Sequence, residues 1–500
     1  MPNDYIDKNV SGDTFWKSIV IHKFSKPAVL IFVLLASLAA AFYVAHGGLI
    51  SAFIVLVVIV GLPAIYATVA FPKFGIIILI SVAFIINGVS RVAPDNAPIG
   101  IAMDGLTYLL ILGFFIKQQK EGKALSYYFK NEISYFILGW LVYNLLEAIN
   151  PIADSRLAWL YTVRTVAFLM LLYYIFVFHI RSKDYIKTLF KVWLIFDLLA
   201  AMSAFQQEKF GFFGFEQRWL AANPLEVSFL FINGHMRKFG IFSDPVVFAY
   251  NMVTGSLLCL AFIVSNIKTY KKVILIFLMG FFLMVMLYSG TRAAFALLPV
   301  ALIMLAILKF NKRILISVII AGLLLLGLIN MPTSNASLYR FQSAFKPTKD
   351  ASFNVRVENQ RRIKPYILAH PIGGGLGSVG IWGQRFSPNS YLSKFPPDSG
   401  YVRVAVEMGW IGLILYCVLN FVILYKGIYY YYIIKDPQLK TFCLAMVLVI
   451  FAFDCGNYLQ QATVQYPSNI LFFLAIAILN VSMRLDLEKR QPQLNATVKI

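Results

Sequence analysis

Apolar runs of about 20 residues recur along almost the whole chain, and a run of that length is what one helix needs to cross the hydrocarbon core of a bilayer. Inside a bilayer each backbone N–H and C=O must be satisfied within its own segment, so such runs fold as helices. Composition agrees. Of 500 residues, 60% are hydrophobic and 13% charged, with mean hydropathy +0.75, whereas a soluble domain carries about 25% charged residues. The fold class is therefore all-α, a polytopic integral membrane protein. Runs near 28–45, 49–71, 75–89, 101–116, 133–149, 157–179, 186–204, 246–265, 273–288, 293–309, 314–330, 401–425, 440–456 and 464–482 predict about 12–14 transmembrane helices.

Loop charge supplies the topology. Lys17, Lys23 and Lys26 precede the first run. Lys117, Lys120, Lys123 and Lys130 follow the fourth, Arg181, Lys183 and Lys187 the sixth, and Lys268, Lys271 and Lys272 the eighth. Lys309, Lys312 and Arg313 follow the tenth, Lys426, Lys435 and Lys440 the twelfth, and Arg484, Lys489 and Arg490 the last. These are alternate loops, so by the positive-inside rule both termini lie in the cytoplasm, with residues 1–27 as an uncleaved basic tail and 484–500 as a second tail. The same rule accounts for most of the net charge of +21, and with no basic stripe interleaved with aromatics, nucleic acid is excluded as a partner. Cys259, Cys417, Cys443 and Cys455 all fall in apolar runs without a CxxC pair, and the five histidines are scattered, so no disulfide framework or metal site is expected.

Two long segments fall on the outer side by this parity, Gln206 to Asp244 and Met331 to Gly400. The first is rich in Phe and Gly, contains Trp219 and suits the membrane surface. The second, the one long outer loop (331–400), holds Arg340, Lys346, Lys349, Arg356, Arg361, Arg362, Lys364, Arg385 and Lys394 against Asp350, Glu358 and Asp398. That excess calls for an anionic ligand. Ionisable groups within spans cost about 2.5–3.5 kcal/mol each on insertion scales and are functional candidates by default. Asp104, Glu147, Arg164, Asp197 and Asp454 qualify. All but Asp197 fall in the outer third of the membrane, a shared depth that predicts a water-accessible pocket there. The competing reading is helix-to-helix ion pairs or snorkelling side chains.

Three stretches together resemble the O-antigen ligase and Wzy-type polysaccharide polymerase superfamily. Arg237-Lys238-Phe239-Gly240-Ile241-Phe242-Ser243-Asp244-Pro245 is similar to that family's Arg-x-x-Gly-x-Phe-x-x-Pro approach to a span. Ser289-Gly290-Thr291-Arg292 is similar to its Ser/Thr-Arg turn. Arg356, the His370-Pro371 to Gly377 segment, and Asp398-Ser399-Gly400-Tyr401 leading to Gly409-Trp410-Ile411-Gly412 follow in the family's order and spacing. The resemblance covers roughly 237–412 and implies a domain division into N-terminal helices (28–236), a ligase/polymerase-like region (237–425) and C-terminal helices (426–483).

The resemblance implies an enzyme of the bacterial inner membrane. It would move a glycan from undecaprenyl pyrophosphate to an acceptor at the periplasmic face, without metal, nucleotide or other cofactor. Partners would be the undecaprenyl-pyrophosphate-linked oligosaccharide and the bilayer, with a chain-length regulator left open. Breaking the sugar–pyrophosphate bond requires stabilising a departing anion, a task suited to guanidinium groups. Arg237 and Arg292 are the leading catalytic candidates. Arg356, Arg164, His370, Arg361 and Tyr401 are candidates for binding pyrophosphate or glycan. Family ligases carry His-Asn or His-Ser where this chain has Asp398-Ser399. Asp398 could serve as the base, and the change tilts the reading from ligase toward polymerase. Its competing role is helix N-cap. Arg292 could instead be a surface anchor, Arg356 a solvated loop charge, and His370-Pro371 with its glycines a sharp turn where backbone approaches closely. A lipid-linked oligosaccharide flippase or secondary transporter is the alternative of another class. It would place its polar groups near the midplane on broken, symmetry-related helices.

Overall fold

The computed structural model describes residues 27–93, 99–122, 124–232, 234–334, 336–345 and 351–497. The predicted tail before Pro27 lies outside these residues, as do Lys123, Lys346, Lys349 and Asp350. The fold is helical almost throughout. By packing, the chain divides into two compact units, Met1–Ala67 and Thr68–Ile500. The described part of the first is an apolar helix, α1 (Pro27–Ala70), broken at Gly48, which accounts for the first two predicted runs.

In the second unit, α2 (Pro72–Ser90), α3 (Ile99–Glu121), the short α4 (Ser126–Phe129), α5 (Glu132–Leu146), α6 (Arg156–His179) and α7 (Lys183–Lys209) lead to two short helices, α8 (Gly214–Ala222) and α9 (Pro224–Leu230). A two-residue-per-strand hairpin, β1 (Phe231–Ile232) and β2 (His235–Met236), follows. Next come α10 (Pro245–Ile263), α11 (Thr269–Tyr288), α12 (Arg292–Leu308) and α13 (Lys312–Asn330), then α14 (Ala336–Ser343), α15 (Ala351–Ala369) and α16 (Gly380–Phe386). The chain closes with α17 (Gly400–Ile433), α18 (Pro437–Leu459) and α19 (Ser468–Thr497). Ten helices among the described residues are long and apolar enough to cross a membrane, and four shorter apolar helices bring the total to the fourteen predicted. This is a multi-pass membrane protein.

Burial ranks the helices. The apolar windows of α10, α18 and α19 are 78%, 72% and 72% buried, against 17% for α11. The first three form the core, and α11 presents its side chains outward, as lipid-facing helices do. Buried polar groups in the core find partners across helices: Asn251 Nδ2 donates to Ser468 Oγ at 3.0 Å, and the Tyr173 hydroxyl meets Ser134 Oγ at 2.8 Å. The four cysteines are unpaired thiols.

Four of the basic loops that the sequence puts on one side meet in space. At one end of the bundle Asp436 pairs with Lys183 and Lys489, Lys426 with Glu132 at 2.6 Å, and Arg181 with Glu121 at 2.7 Å. Asp436 also caps α18 through Gln438 and Leu439 N–H groups, and its lysine and backbone donors outweigh desolvation and hold its carboxyl below the usual carboxylate range. One boundary differs. The segment predicted as a tail from 484 continues α19 as helix, because Arg484–Glu488 and Asp486–Arg490 form i,i+4 pairs along it.

At the other end, α17 is broken at Gly409, with φ 68° and ψ −174°. A broken helix at membrane depth frees carbonyls that must be satisfied by other groups. Here the 371–375 loop threads into the break. Gly374 N–H donates to Val406 O (2.9 Å), Gly375 N–H to Glu407 O (2.8 Å), and Ile411 N–H to Pro371 O (3.2 Å). The Tyr143 hydroxyl donates to Met408 O at 2.9 Å. A Cβ on Gly409 would stand 2.0 Å from Pro371 O, and one on Gly373 would stand 2.4 Å from Gly409 N. The glycine run after His370 is therefore the close backbone approach that the sequence suggests. Gly409→Ala is expected to lower stability in detergent, with about 1–3 kcal/mol from the left-handed backbone alone and more from the clash. Gly139→Ala, in the interior of α5 with open space around it, should be neutral or stabilising by about 0.5–1 kcal/mol. Equal thermal shifts for the two variants would contradict this account.

Candidate active site

The turn between α11 and α12 carries Ser289-Gly290-Thr291-Arg292 and is the floor of the site. The β1–β2 hairpin delivers Arg237 to it: Arg237 N–H donates to Leu230 O and Lys238 N–H to Tyr288 O. The Arg237 guanidinium then bridges the turn, with Nε to Ser289 O at 2.8 Å and Nη2 to Thr291 Oγ1 at 3.0 Å. Thr291 stands at the N-cap of α12 but makes no side-chain cap. Its hydroxyl instead donates to Pro245 O at 3.0 Å. The uncapped first turn of α12 adds the partial positive charge of a helix N-terminus to the same spot.

Gly290 has φ 57°, and a Cβ there would lie 2.8 Å from Arg340 Nε. The missing side chain lets a third arginine, from α14, settle over the turn. Arg356, from α15, comes in from the side of α18 and donates to Leu459 O at 3.4 Å. Arg237, Arg292, Arg340 and Arg356 thus line one small pocket of about 100 Å³ with Gly290, Thr291 and Gln460, and no carboxylate lines it among the described residues. Burial chiefly, then Arg340 and Arg292, push the Arg237 guanidinium down to about 10, with Asp244 pulling the other way. It stays charged at neutral pH.

The approach to Arg237 is fixed from behind by a residue that no sequence motif marks. Arg91, just past α2, is buried. It donates to Gly240 O (2.9 Å) and Phe242 O, and its guanidinium lies 4.2 Å from the Phe239 ring centroid. Gln207 accepts from Gly240 N (2.9 Å) and donates to Glu216 (2.7 Å), while Glu216 lies 4.0 Å from Arg91. Burial lowers Arg91 to about 10, and Glu216 and Asp244 oppose that shift. Asp244 itself caps α10, accepting from Val246 N (2.7 Å) and Val247 N (3.1 Å). Phe210, Leu225, Phe229 and Phe231 on the surrounding segment are exposed, as a segment lying in a membrane interface requires.

A second and larger cavity, about 710 Å³, opens between α5, α6, α17, α18 and α19. Its lining combines apolar Leu169, Phe472 and Ile476 with Arg403, Glu407, Gln461, Trp140 and Trp382. Arg403 Nε meets Glu407 Oε1 at 3.1 Å, and Arg403 Nη1 meets Gln461 Oε1 at 3.1 Å. Gln460 lines the arginine pocket and Gln461 the cavity, so the segment after α18 is the wall between them.

Of the residues singled out from the sequence, Arg237, Arg292 and Arg356 converge. Asp398 is half-buried and lines neither space, although Pro397 and Gly400 beside it line the larger one. It is not the N-cap of α17. Ser399 holds that position and turns its hydroxyl to Asn457 O at 3.3 Å. Arg164, His370, Arg361 and Tyr401 line neither space. Arg164 pairs with Asp104 at 3.3 Å, so these two charges satisfy each other as an ion pair between α3 and α6. Glu147 is likewise taken up, by Asn150 at 2.8 Å. The predicted common pocket for those outer-third charges does not form from them. His370 stacks on Tyr366 with centroids 4.0 Å apart and contacts Tyr366 O at 2.8 Å through Nδ1. Arg361 is an exposed partner of Glu358, 3.9 Å away. Tyr401 packs against Tyr416, with Asn420 Nδ2 at 3.5 Å from its hydroxyl.

A pocket with four guanidiniums predicts binding of a compact polyanion. Inorganic pyrophosphate, titrated calorimetrically, should bind at about pH 7–8, where Arg237 is charged. Arg237→Ala should bind at least about tenfold more weakly, the loss of one charged hydrogen-bond donor. Equal binding by the variant and the wild type would contradict the assignment.

Residues 274–417 match the family described as O-Antigen ligase. No curated protein matches the chain significantly. The matched stretch runs from α11 into α17 and holds Arg292, Arg340, Arg356, Asp398, Arg403 and Glu407, while Arg237 reaches the same pocket from before it. Through this region, the chain is similar to the O-antigen ligase family.

Proposed function

We propose that the protein transfers a glycan from undecaprenyl pyrophosphate to an acceptor sugar at the periplasmic face of the bacterial inner membrane, polymerising repeat units of an O antigen, capsule or exopolysaccharide. The observation that carries this reading is the meeting of Arg237, Arg292, Arg340 and Arg356 around one pocket. In the reaction an acceptor hydroxyl attacks the anomeric carbon. The bond from that carbon to the pyrophosphate oxygen breaks, and the pyrophosphate leaves with the electron pair. Guanidiniums already in position stabilise that developing charge without reorganisation, and their charge does not depend on a titration near neutrality. The reaction so written uses no metal or nucleotide. The hydroxyl proton goes to Asp398, which stands where family ligases carry His, in the segment between Pro397 and Gly400 of the larger cavity's lining. A carboxylate near a sugar hydroxyl can take its proton as attack proceeds.

In this reading the end of the bundle that carries Asp436, Lys183 and Lys489 faces the cytoplasm together with both termini, by the positive-inside rule, and the arginine pocket faces the periplasm. Asp398 in place of His favours polymerase over ligase.

The test is a gel of surface and carrier-linked glycans from cells with the native protein, without it, and with Arg292→Ala. Deletion should leave single repeats on the carrier. Arg292→Ala should cut polymer formation by about 10²–10³-fold, the usual effect of removing one donor to a developing anion. Long chains that persist on the carrier but never reach their acceptor would identify a ligase. Unchanged pools on deletion would overturn glycan transfer and bring a flippase or transporter forward.

A further inference from the structure

The arginine pocket accounts for a departing pyrophosphate but not for the cavity of about 710 Å³ on the other side of the 459–465 wall. That volume lies within the range of about 300–1,000 Å³ typical of sites that enclose a small-molecule ligand. Its charge is arranged differently. Arg403 is matched by Glu407 at 3.1 Å and by Gln461 at 3.1 Å, so an incoming phosphate would meet a carboxylate and would have to displace it. A neutral, hydroxyl-rich ligand meets no such penalty. It can donate to Glu407 and accept from Arg403, and the amides of Asn144, Asn420 and Asn457 offer both functions. Trp382, stacked with Phe386 and 4.8 Å from Tyr161, and Trp140 add flat apolar faces, against which the C–H face of a sugar ring packs.

From this contrast we infer that the larger cavity is the acceptor-saccharide site, and that the Arg403–Glu407 pair selects an uncharged sugar by reading its hydroxyls. The inference rests on the transfer reading above and adds to it a second, charge-neutral site. The two sites divide the substrates by chemistry. Pyrophosphate is held among guanidiniums, and the acceptor sugar where an arginine is matched by a carboxylate.

The test uses the full-length protein in detergent and two probes, inorganic pyrophosphate and the phosphate-free oligosaccharide released by mild acid from the carrier-linked pool of cells lacking the protein. Binding is measured calorimetrically. The double variant Arg403→Gln/Glu407→Gln, which leaves no lone buried charge, should weaken oligosaccharide binding at least tenfold and leave pyrophosphate binding unchanged. Arg292→Ala should do the reverse. If the double variant binds both probes as the wild type does, the inference is overturned. If it binds neither, the fold has been lost and Trp382→Ala on the rim decides: a tenfold loss for the oligosaccharide alone supports the site, and no loss overturns it. Failure of the transfer reading itself looks different. No carrier-linked pool accumulates on deletion, and the wild type binds no pyrophosphate.

Discussion

Four guanidinium groups held around a pocket of about 100 Å³, with no carboxylate in its described lining, are the constraint on which the functional end of this protein depends. Two unit charges about 4 Å apart interact by about 4 kcal/mol at an effective dielectric of about 20, so like charges do not gather without structural cause. Several features supply that cause. Thr291 and Ser289 accept from Arg237, Leu459 O accepts from Arg356, and the absent side chain at Gly290 leaves room for Arg340. Arg91 and Gln207 then hold the 239–242 backbone from behind.

The broken helix α17 organises the adjoining region. Its interruption at Gly409 would be unfavourable in hydrocarbon if the freed carbonyls had no donors, and the 371–375 loop and Tyr143 supply them. The same threading pins the long polar segment against the membrane bundle. Glu407, whose carbonyl accepts from Gly375, turns its carboxyl toward Arg403 and the larger cavity. Loop anchoring and cavity polarity therefore share one residue. This ties the geometry of the long polar segment to the geometry of the site.

Most of the fold was legible because a bilayer permits few solutions. Apolar length fixed the helices, and alternate loop charge predicted which ends pair, as Lys183–Asp436–Lys489 shows. The site was legible in part. Arg237, Arg292 and Arg356 carried family spacing. Arg340 was one basic loop residue among nine, and only the φ 57° turn at Gly290 singles it out. Arg403 and Glu407 did carry a signal: an i,i+4 pair of opposite charges inside an apolar run is costly unless used. The pair is harder to recognise than an isolated charge because its two members compensate each other along one helix. Arg164 misled for the complementary reason. Its partner Asp104 is on another helix, and sequence separation hides such pairs.

The most direct test of the central claim is a cryo-EM structure of the protein in lipid nanodiscs with undecaprenyl pyrophosphate. The account predicts phosphate density within hydrogen-bonding distance of Arg237, Arg292, Arg340 and Arg356, beside the first turn of α12. Phosphate density against Arg164 or within the Arg403–Glu407 cavity, with the four-arginine pocket empty, would contradict it.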